Sequence, residues 1–128
     1  MRKIKGIVSV ILSAMLLTAC TSGNSAKYRH ITMAEAVRMM EEESNYIILD
    51  VRRPDEYASG HIPGAINIAN ESIGTGEITQ LPDKAQLILV YCRSGRRSRE
   101  AAEKLVKLGY TNIVEFGGIL DWTGAIEK

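Results

Sequence analysis

The run Val90-Tyr91-Cys92-Arg93-Ser94-Gly95-Arg96-Arg97-Ser98 holds the residue types best suited to chemistry. A single cysteine closes an apolar, strand-like stretch, Leu87 to Tyr91. A short loop carrying Arg93, Arg96 and Arg97 follows, and then a helix-like stretch from Ser98 to Leu108. That order puts a thiol where backbone N–H groups, a helix N-terminus and guanidinium charge converge. Such surroundings lower a thiol pKa from about 8.5 into the range of about 3.5–7.5 and make a thiolate nucleophile. A thiol that merely ends a core strand sits instead among apolar groups. Cys92 is therefore the candidate nucleophile.

The elements that must position this thiol begin well after the N-terminus. Met1-Arg2-Lys3-Ile4-Lys5 is a basic segment, and Gly6 to Leu17 is almost wholly apolar but short for a membrane span. Leu17-Thr18-Ala19-Cys20 then places small residues directly before a cysteine and resembles a bacterial lipobox, with an uncleaved N-terminal anchor as the rival reading. Residues 1–19 are expected to be a lipoprotein-type signal peptide and Cys20 the lipidated residue. Residues 20–27, polar, small and aperiodic, are expected to be a flexible tether. The expected location is the cell envelope, outside the cytoplasmic membrane and anchored by lipid, which takes more than one acyl chain to be stable. Thr21, rather than an aspartate, follows Cys20. Inner membrane, outer membrane and Gram-positive surface all stay open.

Residues 28–128 form one domain of ordinary size for a single core. Loss of Arg2, Lys3 and Lys5 takes the net charge from +1 to −2, so the balance lends no support to a nucleic-acid partner. The basic residues cluster around Cys92 instead, which fits a small anion. With Cys20 assigned to lipid, Cys92 has no disulfide partner, and a dithiol oxidoreductase is disfavoured.

Thr32-Met33-Ala34-Glu35 is a capping-box pattern, and Met33, Ala36, Val37 and Met40 share one face of the helix it starts. Tyr46 to Asp50 reads as a buried parallel strand. Pro54 to Ala58 reads as a helical turn with proline at its first position and acids beside it. Ala65 to Ile68 reads as a strand, Glu71 to Pro82 as a loop, and Leu87 to Tyr91 as the strand that delivers Cys92. Ala101, Ala102, Leu105 and Leu108 face inward on the next helix, Glu100–Lys104 and Glu103–Lys107 pair outward, and Gly109 ends it. Ile113 to Phe116 is a further strand, Gly117-Gly118 a turn, and Ile119, Trp122 and Ile126 one face of a last helix. Alternating strands and helices predict an α/β domain with a mainly parallel central sheet, helices on both faces, and a site at the strands' carboxyl ends.

Three separated motifs then agree. Ile48-Leu49-Asp50-Val51-Arg52, Glu56-Tyr57 and Gly60-His61-Ile62-Pro63-Gly64-Ala65 resemble the N-terminal signature of rhodanese domains. Tyr91 to Ser98 resembles their active-site loop, and Gly117-Gly118-Ile119-Leu120-Asp121-Trp122 their C-terminal signature. The resemblance is collinear from about Tyr28 onward and implies a rhodanese-like three-layer α/β fold with sulfurtransferase chemistry. Cys92 would take the outer sulfur of thiosulfate or a similar donor as a persulfide and pass it to cyanide or a thiol. Backbone N–H groups from Arg93 to Ser98, including Ser94, would cradle the persulfide, and Gly95 would permit the tight turn. Arg93, Arg96 and Arg97 would orient the anionic donor, Arg97 foremost. Ser98 would cap the following helix and donate to sulfur. Asp50 reads as support that holds an arginine or a loop amide, Arg52 as the partner of an acid such as Glu56, and His61 as a structural hydrogen bond in a turn. His30 reads as a surface residue and Trp122 as packing.

No cofactor or metal enters this reading, and a monomer is expected. Two other functions compete. A non-turnover sulfur-carrier or sensing lipoprotein would hold sulfur at Cys92 without catalysis, although both the cysteine and its cationic loop are present. A phosphatase on the same fold needs an arginine six positions after the cysteine, where Ser98 stands, and an arsenate reductase would also want a thiol partner that Cys92 lacks once Cys20 is assigned to lipid.

Overall fold

The computed structural model describes residues 27–74 and 76–128. The expected leader 1–19, the lipidation site Cys20 and the tether as far as Ala26 lie outside the described residues. Among those described, no helix is long and apolar enough to cross a membrane.

Five strands form one parallel sheet: β1 (Arg29–His30), β2 (Tyr46–Asp50), β3 (Ile66–Asn67), β4 (Leu87–Cys92) and β5 (Ile113–Gly118), in the order β1-β5-β4-β2-β3. Parallel neighbours need crossovers, and α1 (Met33–Glu42), α2 (Pro54–Ser59) and α3 (Arg96–Lys107) supply most of them. Side chains alternate along β4. Ile88, Val90 and Cys92 face a core shared with Ala101, Ala102 and Leu105 of α3, while Leu89 and Tyr91 face a second core shared with Ala36 of α1. Both faces of the sheet are thus buried, as its unbroken apolar strands require.

The local signals for α1 and α3 are present. Thr32 Oγ1 accepts from the Glu35 N–H at 3.1 Å, although the Glu35 carboxylate takes the Thr32 hydroxyl proton rather than returning to the Thr32 backbone. Gly109, at φ +99°, follows the last turn of α3 in the left-handed region. The expected Glu100–Lys104 pair is replaced. Glu100 accepts from Arg96 at 2.9 Å, and Lys104 reaches across to the Asn70 carbonyl at 2.9 Å.

Four departures from expectation lie at the edges. Arg29–His30 adds a short edge strand beside β5, with too few residues to show a period. The predicted strand 65–68 shrinks to Ile66–Asn67. Gly117-Gly118 belongs to β5 rather than to a turn, and the predicted last helix is only a 3-10 turn, Ile119–Asp121. Beyond it the chain folds back so that His61 and Glu127 exchange backbone hydrogen bonds at 2.9 Å. Ile126 is exposed, whereas Trp122 packs partly on the α1-side core and its indole N–H donates to the Ala125 carbonyl at 2.9 Å.

Candidate active site

Cys92 is the last residue of β4, and its side chain is 1 % exposed. The chain leaves the sheet through Arg93 and Ser94 and turns at Gly95, whose φ of +119° disfavours any side chain. The Gly95 N–H donates to Cys92 Sγ at 3.0 Å. α3 then begins at Arg96, so its first amides, left without partners inside the helix, face the same end of the sheet as the sulfur. β5 closes the loop from below. A Cβ on Gly118 would lie 2.0 Å from the Arg93 carbonyl oxygen, so only glycine lets β5 pass there. The register between β4 and β5 slips between Val90 and Cys92, which brings Cys92 opposite Gly118.

An open cleft of about 470 Å³ lies over the loop, lined by Arg93, Ser94, Arg96 and Arg97 and, across from them, by Arg53, Glu56 and Glu71. Arg93 and Ser94 are exposed, and Arg96 extends along α3 to Glu100. Arg97 is held. Its guanidinium grips both Glu56 oxygens, at 2.6 and 3.0 Å. That pairing pulls the Glu56 carboxyl down to about 2 against the opposing effect of its partial burial. Among the arginines of the loop, Arg97 is the least exposed and the most fixed in direction.

Ser98 does not cap α3; Gly95 occupies the cap position, and Ser98 lies inside the first turn. Its hydroxyl is fully buried, 2.9 Å from the Gly95 carbonyl, 2.7 Å from Glu115 Oε1 and 3.5 Å from Cys92 Sγ. A residue in the first turn points back toward the preceding loop, which is why the hydroxyl meets sulfur instead of an amide.

The other site candidates form a separate cluster at the end of β2. Asp50 is fully buried and accepts from the Arg52 backbone N–H at 2.9 Å, from the Arg52 guanidinium at 2.7 Å and from the Tyr91 hydroxyl at 2.8 Å. Arg52 therefore pairs with Asp50 and not with Glu56, and its other contact is the Gly60 carbonyl at 2.7 Å. Burial works against its charge, but the Asp50 hydrogen bond and charge outweigh that and hold the guanidinium above its ordinary value. Burial pushes the Tyr91 hydroxyl far up, so it stays protonated, donating to Asp50 and accepting from the Ile62 N–H at 3.0 Å. His61 stacks on Tyr57 with ring centroids 3.7 Å apart, and its Nδ1 lies 2.9 Å from the Tyr57 carbonyl.

Two site features are not expected from the sequence. Glu56 belongs to Arg97, and Glu115, fully buried in β5, contacts Ser98 and His30. His30 is thus more than a surface residue. Its Nδ1 lies 2.5 Å from Glu115 Oε2 while the ring stays largely exposed. A charged residue inside the apolar run Ile113-Val114-Glu115-Phe116 is the one signal that could have marked this buried group. Among the described residues, no group of acids, histidines and cysteines is placed to hold a metal ion.

Comparison with known proteins agrees with this geometry. Residues 32–125 match the family described as the Rhodanese-like domain. Thiosulfate sulfurtransferase PspE of Escherichia coli is 41% identical over 73 residues, which cover 57% of this chain and 70% of that protein. Thiosulfate sulfurtransferase GlpE of Pseudoalteromonas translucida is 31% identical over 102 residues, covering 79% of this chain and 94% of that one. The solved structure of a rhodanese with anions from Escherichia coli superposes with a TM-score of 0.59 at 37% identity, covering 65% of this chain and 98% of its own. A parallel sheet with helices on both faces, a cysteine ending its central strand under an arginine-lined cleft, and these relatives together place the chain in the rhodanese-like domain family of sulfur-transfer proteins.

Proposed function

We propose that this chain is a sulfurtransferase that carries sulfane sulfur as a persulfide on Cys92. The observation that supports the reading most strongly is the sulfur at the end of β4, held by the Gly95 N–H at 3.0 Å under a cleft that Arg93, Arg96 and Arg97 line. An anionic donor such as thiosulfate enters against the arginines. The Cys92 thiolate attacks its outer sulfur, a new S–S bond forms, and the bond to the sulfonate sulfur breaks with its electron pair, releasing sulfite. Gly95 and the first amides of α3 offer hydrogen bonds to the outer sulfur of the persulfide anion. A thiol or cyanide then takes that sulfur and returns Cys92 as thiolate.

Incubation with thiosulfate followed by intact-mass measurement tests this. The expected result is a gain of one sulfur, reversed by cyanide with release of thiocyanate and lost in Cys92→Ser. Hydrolysis of an aryl phosphate without any sulfur adduct would overturn it. A chain that takes up sulfur and releases none to cyanide or thiols would instead be a carrier.

We also infer that the domain works in the cell envelope, lipid-anchored through Cys20. The basic start, the apolar run and Leu17-Thr18-Ala19-Cys20 support this. The N-terminal peptide of the protein from the membrane fraction is expected to begin at Cys20 and carry acyl mass, and Cys20→Ala is expected to lose both the acyl mass and the cleavage. An unacylated wild-type N-terminus would reject lipid attachment there.

A further inference from the structure

Glu115 is fully buried in β5, between the core residues Val114 and Phe116. A carboxylate is tolerated there only when its oxygens have partners. The Gly117 N–H donates to Oε1 at 2.8 Å, Ser98 Oγ lies 2.7 Å from the same oxygen, and His30 Nδ1 lies 2.5 Å from Oε2. Ser98 links this carboxyl to the nucleophile. Its one hydroxyl proton faces Glu115 Oε1, the Gly95 carbonyl at 2.9 Å and the Gly117 carbonyl at 3.2 Å, with Cys92 Sγ at 3.5 Å. An ionised Glu115 is the strongest acceptor of the set and takes that proton. Ser98 Oγ then turns a lone pair to Cys92 and accepts from its thiol.

We propose that Cys92 and Glu115 share one proton through Ser98, so that the attacking thiolate forms as negative charge passes from the buried carboxyl to sulfur. In this step the S–H bond breaks and a new Oγ–H bond forms. The original Oγ–H bond breaks in concert, and its proton bonds to Glu115 Oε1. No electrons leave the site and no other reactant is required. The pair carries one negative charge before and after, which avoids two like charges in one buried pocket. The Ser98 hydroxyl afterwards points at the thiolate, beside the Gly95 N–H. When an acceptor removes the sulfur, the reverse shift returns the proton to Cys92.

Glu115 acts through Ser98 and is a positioning residue. The other groups around it are His30 and Tyr28 from the β1 side, Arg99 on α3, and Cys92 itself. His30 hydrogen-bonds to the carboxylate, and Arg99 adds positive charge near Tyr28. Tyr28 keeps its proton, held above the ordinary phenol range by burial and by Glu103 and Glu115, against Arg99.

The inference rests on Cys92 being the sulfur-bearing thiol, yet its test needs neither donor nor acceptor, so a failure of transfer and a failure of proton sharing are distinguishable. The rate of Cys92 alkylation by iodoacetamide is followed against pH on the full chain, by mass of the Cys92 peptide. Wild type is expected to rise in two steps separated by more than about one pH unit, as coupled groups do. Glu115→Gln is expected to give one step that lies below the upper wild-type step, with faster alkylation between the two wild-type steps and no difference at the acid end, where a neutral carboxyl and an amide are alike. Ser98→Ala keeps the carboxylate and removes the bridge, and only the upper step should remain. A one-step wild-type profile that coincides with Glu115→Gln, or a Glu115→Gln rate lowered by one factor at all pH values, overturns the proposal. If Glu115→Gln fails to fold, infrared titration of wild type decides. The protonated-carboxyl signal should disappear in two steps with Cys92 free and in one step once Cys92 is alkylated; one step in both overturns it.

Discussion

The carboxyl ends of β2 and β4 lie side by side, with Asp50 in register with Tyr91, one residue before Cys92. Both ends carry a buried ionisable side chain next to an arginine-bearing segment, yet their surroundings differ. At β2 the Asp50 oxygens are used up by Arg52 and Tyr91, and Arg52 finishes on the Gly60 carbonyl. The Asp50 carboxylate has no lone pair left for a ligand. At β4 the sulfur has one backbone N–H and one hydroxyl near it, and the arginines beyond it line an open cleft. A saturated ion pair is scaffold, and a thiol beside a cationic loop and an open cleft is the candidate site. The β2 end fixes where the neighbouring strand stops, because Tyr91 ties Asp50 to Ile62 immediately before Cys92.

The sharpest contrast comes from removing each group. Cys92→Ser should abolish sulfur uptake, read by intact mass, while stability by urea titration moves by less than about 1 kcal/mol, since the hydroxyl keeps the Gly95 N–H as donor. Asp50→Ala should do the opposite. It leaves the Arg52 guanidinium buried without its counter-charge and should cost about 3–5 kcal/mol of stability, with the folded fraction still taking up sulfur. A normally stable Asp50→Ala that no longer takes up sulfur would transfer Asp50 from scaffold to chemistry.

Gly118→Ala tests the packing under the loop. The new methyl would have to displace the Arg93 carbonyl from 2.0 Å, and a cost of about 1–3 kcal/mol is expected together with slower sulfur uptake. Arg97→Ala should raise the KM for thiosulfate by about tenfold, equivalent to about 1.4 kcal/mol, with kcat less affected; an unchanged KM would assign donor binding to Arg93 and Arg96.

The smallest effect concerns acid. Glu56 is depressed from 4.5 to about 2 by Arg97, so its contribution is complete above pH 4.5 and is lost as pH falls toward 2. Solvent screening limits it to about 1 kcal/mol. Glu56→Gln should lower stability by about 1 kcal/mol at neutral pH, flatten the curve in that window and converge with wild type near pH 2. A wild-type curve already flat there would show that Arg97 is held by something other than Glu56.

Features carried by neighbouring residues were legible in the sequence. The strand, cysteine, loop and helix from Leu87 to Lys107 are contiguous, and the N-cap of α1 and the glycine that ends α3 depend on residues within a turn. The site's partnerships were not legible. Tyr91 with Asp50 and Arg97 with Glu56 are each 41 residues apart, and His30 with Glu115 is 85 apart. The misread last helix has a similar cause. Ile119, Trp122 and Ile126 have helical spacing, but a Cβ at Gly124 would meet the Trp122 ring at 2.6 Å, and pairing with His61 draws the segment into extended backbone.

Sequence alone was enough for the fold class and for a cysteine and cationic loop at the end of an apolar strand, because alternating periods and a contiguous motif express short-range physics. Only the tertiary structure decided which acid holds which arginine, that Ser98 lies inside α3 while Gly95 takes its cap position, and that a buried glutamate stands behind the serine. Those outcomes depend on strand order and register, which place distant residues within hydrogen-bonding reach.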